Sequence, residues 1–129
     1  MLHVLFLKAF FCFTGIRHCE KFLDTLEVQG GSGTRYSDDL VRPAMVAMFR
    51  VGKFYNKIFT PIAEDQIKFT KIAMESYQAV VDYCQDNPDQ KKTVAVELDH
   101  CVGTIDLLDR QLKMHARSLA DTQAGADSQ

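Results

Sequence analysis

Two runs in the middle of the chain carry its strongest pattern of apolar and polar positions. In residues 42–59, RPAMVAMFRVGKFYNKIF, a turn of about 100° per residue lines up Met45, Met48, Val51, Gly52, Tyr55 and Phe59. In residues 63–87 the same projection lines up Phe69, Ala73, Tyr77, Val80 and Cys84. Thr60 and Pro61 separate the runs, so the pattern predicts two antiparallel helices joined by a turn, spanning 43–87. The width of the faces decides the architecture. Ala47, Phe49, Phe54 and Ile58 broaden the first apolar face until only Arg50, Lys53 and Lys57 remain as a polar strip. Ile67, Ile72, Met74, Val81 and Tyr83 broaden the second. A helix packed on one partner needs an apolar arc of roughly 100°. Wider arcs must be covered from more than one side, so these are inner helices of a stacked helical array.

Residues 1–28 predict a further helix. Its opening, MLHVLFLKAFFCF, is apolar all round. It is shorter than the roughly 20 residues of a membrane span, and lacks the basic start and small-residue cleavage site of a secretory signal. The expectation is a core-facing helix whose outer face awaits a neighbour or a second copy of the chain. Residues 29–42 predict a Gly-rich loop, because QGGSG cannot hold a helix against backbone entropy. It matches neither a phosphate loop nor a nucleophile elbow.

From Pro88 a last helix is expected to run to Leu119, and residues 120–129 to form a disordered tail. Its apolar positions are Val94, Leu98, Cys101, Ile105, Leu108, Leu112, His115 and Leu119, at alternating spacings of four and three. One narrow seam with a wet face opposite suits the capping helix of an array. A short coiled coil is the alternative. The predicted fold class is therefore all-α: antiparallel helices of an α-solenoid, in its terminal, capping portion.

Composition adds exclusions. With 129 residues the chain is one domain long, and 47% hydrophobic content and 25% charge are ordinary globular values. A formal charge of −2 gives no electrostatic footprint for nucleic acid. Cys12, Cys19, Cys84 and Cys101 are scattered, which predicts reduced thiols, with a bridge between Cys84 and Cys101 as the alternative. Glu97-x-x-His100 is half of a di-iron motif, but no second copy exists and His100 points away from the apolar seam. The pairs His18–Cys19 and His100–Cys101 diverge on a helix and clamp no ion, and His115 belongs to the seam. No catalytic residue, cofactor or metal is expected.

The central hairpin resembles a divergent tetratricopeptide repeat. Met48, Val51, Gly52 and Tyr55 fall where that repeat places large, large, small and aromatic residues, and Ala73, Tyr77 and Val80 follow its second helix. The two halves lie further apart than the standard repeat has them. Gly52 in mid-helix is expected to allow close approach of the partner helix near Ala73.

The strings HCEKFLDTL, DLVRPAMVAMFRVGKFYNKI, ESYQAVVDYCQDNP and VAVELDHCVGTIDLL resemble the C-terminal end of the KIF-binding protein family, from about His18 to Arg117. Members of that family are helical solenoids several times longer than this chain. The resemblance implies a protein-interaction module that binds kinesin motor domains and blocks their attachment to microtubules. It further implies roles in axon growth and transport, and a cytoplasmic, cytoskeleton-associated location. It carries no catalytic residue. Met1–Arg17 departs from the family pattern, so the chain is expected to be a fragment or to have an altered start. The candidate contact is the strip Arg50, Lys53 and Lys57, because the first helix of a repeat usually lines the concave side. The alternatives are a solvated face, or ion pairs from the strip to Glu64 and Glu75.

Overall fold

The computed structural model describes residues 2–30 and 35–127. Four helices follow in chain order: α1 (Leu2–Gly30), α2 (Val41–Lys57), α3 (Ala63–Asp86) and α4 (Ala95–Asp127), with a 3-10 turn at Pro88–Val94 before the last. Among the described residues there is no strand. Each helix packs against the one before and the one after it in sequence, and α2 also reaches α4. Residue pairings show that neighbours run antiparallel. Gly15 meets Phe54 while Cys19 lies near Arg50, and Gly52 meets Tyr77 while Tyr55 stacks on Phe69.

The core follows the two broad faces. Met45, Ala44 and Val41 from α2 meet Ala73, Tyr77, Val80 and Cys84 from α3, and Val94, Leu98, Cys101 and Leu108 close the far side. A second cluster of Cys12, Ile16, Val51 and Ile58 joins α1 to α2. Phe54, Ile72 and Tyr83, which broaden the predicted faces, are each half-buried, as helices covered from two sides require. Phe59 differs from its predicted place on the α2 seam. The α-helix ends at Lys57, and Phe59 stands 61% exposed beyond it. The residue before a proline is disfavoured in helical conformation, so the chain extends ahead of Pro61. Gln66 clamps the resulting turn. Its Nε2 donates to the Ile58 carbonyl at 3.3 Å, and its Oε1 accepts from the Thr60 N–H at 3.2 Å.

Gly52 does mark a close crossing, but the partner is Tyr77 rather than Ala73. A Cβ added at Gly52 would stand 2.7 Å from the Tyr77 ring. Gly15 makes a second crossing, where a Cβ would come within 2.5 Å of the Phe54 ring. Small residues at these two points bring α1, α2 and α3 into contact in series.

A polar latch fixes the segment ahead of α2. The Tyr36 N–H donates to the Tyr83 hydroxyl, which donates to Gln90 Oε1 at 2.6 Å. Gln90 Nε2 in turn donates to the Tyr36 carbonyl and to Asp38, each at 2.9 Å. Arg35 pairs with Asp89 at 2.6 Å and donates to Asn87 Oδ1. With Gln90 drawn into this network, residues 88–94 form the 3-10 turn, and the α-helix starts at Ala95 rather than at Pro88. At its other end α4 continues to Asp127, past Leu119, across residues expected to form a tail. Ala120, Ala124 and Ala126 favour helix there, and the Thr122 hydroxyl donates to the Ser118 carbonyl one turn back. Part of the predicted loop 29–42, residues 31–34, lies outside the described residues.

Candidate functional site

The exposed strip of α2 follows from the way that helix is packed. With α1 on one flank and α3 and α4 on the other, its apolar residues turn inward and leave Arg50, Lys53 and Lys57 in solvent. All three lie within about 60° of arc at the helical turn angle. The same face continues to Arg42, which the sequence reading had left outside the helix because it precedes Pro43. The overlooked signal was charge: from Val41 to Ala63 the chain has four cations and no carboxylate.

Neither Glu64 nor Glu75 pairs with these cations. The ion pairs among the described residues are Arg35–Asp89, Arg110–Asp106 and Lys113–Asp109, all away from α2. Each cation instead meets a different neighbour. Arg50 borders a cleft of about 340 Å³ between α1 and α2, with His18, Cys19 and Phe22 on the opposite wall. Burial pushes the Cys19 thiol up, while the nearby guanidinium of Arg50 pulls it down. The Lys53 ammonium sits 5.5 Å from the Phe49 ring centroid, a cation–π contact. Phe49 also meets His100 edge-on at 5.0 Å and Tyr77 at 5.9 Å. His100 is therefore an exposed neighbour of the strip, placed by the α2–α4 approach. Lys57 opens onto a wider groove of about 630 Å³ between the α2–α3 turn and the C-terminal part of α4. Ile58, Phe59, Gln111, Met114 and His115 line it, so His115, expected on the buried seam, is an exposed groove residue.

Chemistry of other kinds finds no assembled site among the described residues, where no three His, Cys, Asp or Glu side chains converge to hold a metal. Glu97 and His100 meet no second carboxylate set. Burial pushes the Cys101 thiol up to about 12, with Cys84 and Glu97 adding to the rise, and raises Cys84 as well. Such thiols stay protonated and pack as small apolar groups. All four cysteines are free. No helix among the described residues is long and apolar enough to cross a membrane.

Comparison with known proteins accounts for most of the chain. The family model described as KIF-1 binding protein C terminal matches residues 10–115. The chain belongs to this KIF-binding family. The match begins at Phe10, upstream of His18, so part of the opening run thought to depart from the pattern falls within it. The KIF-binding protein of Danio rerio is 32% identical over 113 residues, covering 87% of this chain and 18% of the relative. Those of Homo sapiens and Rattus norvegicus are each 28% identical over 110 residues, covering 84% of the chain. The chain thus spans about 18% of the length of these KIF-binding relatives. No solved structure matches it. Within the family segment, the face of α2 carries Arg42, Arg50, Lys53 and Lys57 with no ion pair among the described residues.

Proposed function

We propose that the chain is a protein-interaction module, a C-terminal segment of a regulator that binds kinesin motor domains and blocks their attachment to microtubules. Family membership supports a binding role, and the relatives carry KIF-binding in their name. The observation that carries the reading at residue level is the α2 face, whose cations Arg50, Lys53 and Lys57 lack acidic partners among the described residues. The helices form the terminal portion of a tetratricopeptide-like solenoid, with α4 as its cap and the outer face of α1 turned toward a preceding helix or a second copy. The protein works in the cytoplasm, associated with the cytoskeleton, in transport along microtubules and in axon growth. A structural cap without motor contact is the second reading, favoured by the polar side of α4, where Asp106–Arg110 and Asp109–Lys113 pair in solvent.

The test is microtubule co-sedimentation of kinesin motor domains. The chain is added alone, and as a chimera replacing the matched segment of the Danio rerio relative. The chimera is expected to hold motors in the supernatant, and reversal of the α2 charges to release them. A chimera that neither binds motors nor lowers their co-sedimentation overturns the proposal, and one indifferent to α2 reversal favours the cap.

A further inference from the structure

The α2 strip and the groove at its end are continuous, since Lys57 belongs to both. Ile58, 4% exposed, forms the groove floor, and Phe59 and Met114, 61% and 68% exposed, stand on opposite walls. No carboxylate lines the groove. Glu64 and Asp65, which begin α3, fall outside it. The acids of the adjoining part of α4, Asp106 and Asp109, are held by Arg110 and Lys113 of the same helix. An occupant therefore meets an apolar trough approached along a row of cations that form no ion pair among the described residues.

These two properties select one chemistry. A polyanion such as nucleic acid would satisfy the cations and leave Phe59 and Met114 wet. An uncharged apolar helix would cover the trough and leave Arg50, Lys53 and Lys57 without counter-charges. An amphipathic helix with an apolar stripe and flanking carboxylates meets both demands, seating its stripe between two helices as in other helix-in-groove complexes. A methionine wall adapts to the side chains of such a stripe, and the charges steer the approach. We propose that the α2 strip and this groove form one docking surface for an acidic amphipathic helix of a partner protein. The proposal rests on the reading of the chain as an interaction module and specifies the partner's chemistry: the segment bound here carries carboxylates.

The probes are three synthetic helical peptides: a leucine stripe flanked by glutamates, a twin with lysines for the glutamates, and a twin with serines for the leucines. Each is titrated with the full chain by fluorescence anisotropy, at low and at physiological salt. The glutamate–leucine peptide should bind at least about tenfold tighter than either twin and weaken as salt rises. The variant Arg50→Glu/Lys53→Glu/Lys57→Glu should reverse the preference toward the lysine twin. Phe59→Gln/Met114→Gln should lower affinity about tenfold with an unchanged thermal melt, since both side chains already face water. Equal binding of the glutamate and lysine peptides, or indifference to charge reversal, overturns the proposal. So does equal binding of the serine twin, or displacement by single-stranded DNA that is unaffected by Phe59→Gln/Met114→Gln, since either outcome means a general polyanion surface. A chain that binds the glutamate–leucine peptide and no kinesin motor keeps this surface and loses the kinesin reading. Motor binding that ignores the three reversals keeps the kinesin reading and loses this surface.

Discussion

The Tyr77 ring occupies the space that a side chain on Gly52 would need, with ring carbons 2.7 to 3.0 Å from an added Cβ. Tyr77 is 1% exposed and packed on all sides, so its ring cannot swing away. Gly52→Ala should therefore destabilise the fold although alanine is the better helix former. Gly52→Leu should cost about 1–3 kcal/mol through overpacking. Gly103 on α4 is the internal control, because an added Cβ there meets nothing within 4 Å. Gly103→Ala should stabilise by about 0.5–1 kcal/mol. Urea unfolding of the three variants reads the opposite signs directly.

Deleting the ring should be worse than crowding it. Tyr77 joins α2, α3 and α4 through Gly52, Phe49 and Cys101. Tyr77→Ala is expected to cost about 3–5 kcal/mol, the range for a large aromatic removed from a core. A neutral result in a thermal melt would mean that the assigned faces are wrong.

Alkaline pH should destabilise the protein through buried acids, chiefly Cys101 and Tyr77. Burial raises Cys101 from 9.0 to about 12 and Tyr77 from 10.0 to about 12. A group whose pKa is raised in the fold contributes its full stability below its unfolded pKa and loses it as pH rises through the folded one. The contribution of these groups should thus stay constant below about pH 9 and be lost between about pH 9 and 12. Cys101→Ala should make the first part of that fall shallower, with Cys84 and Tyr77 supplying the remainder. Urea titrations at a series of pH values provide the measurement.

The latch ahead of α2 should be sensitive to one oxygen. Tyr83→Phe removes the acceptor of the Tyr36 N–H and the donor to Gln90 together. A loss of about 1–3 kcal/mol is expected, because Gln90 is buried. The Arg35–Asp89 pair is exposed and holds the Asp89 carboxyl below its usual range, chiefly through the Arg35 hydrogen bond. Its contribution should be small, salt-sensitive, and lost as pH falls through the lowered pKa.

Phe10 and Phe11, 58% and 67% exposed on α1, should drive association of the isolated chain. Phe10→Gln/Phe11→Gln is expected to shift sedimentation toward monomer with little change in melting. Unaltered sedimentation would remove self-association through this face.

The helices and their buried faces were legible because two-sided packing widens an apolar arc, and that width is written in composition as well as in period. Crossing partners were not legible. Gly52 announced a close approach, but a glycine accepts a neighbour's ring as readily as its backbone, so Ala73 was expected where Tyr77 stands. Gly15 and Phe54 gave no warning, since their meeting depends on the register of two helices far apart in sequence. The latch was invisible for a related reason: Arg35, Tyr36, Tyr83 and Gln90 follow no period, and hydrogen bonds between distant polar residues leave none. The end of α4 runs on to Asp127, where polar composition suggests a tail but three alanines favour helix. The strip was located from polarity, but its extension to Arg42 required the charge of the whole stretch.

The cations of α2 point outward and form no ion pair among the described residues, so surface charge and folding draw on different atoms of one helix. Substitutions at Arg50, Lys53 or Lys57 leave Met45, Val51 and Gly52 in place behind them. Natural drift at these positions can therefore change the surface charge while the scaffold stays constant.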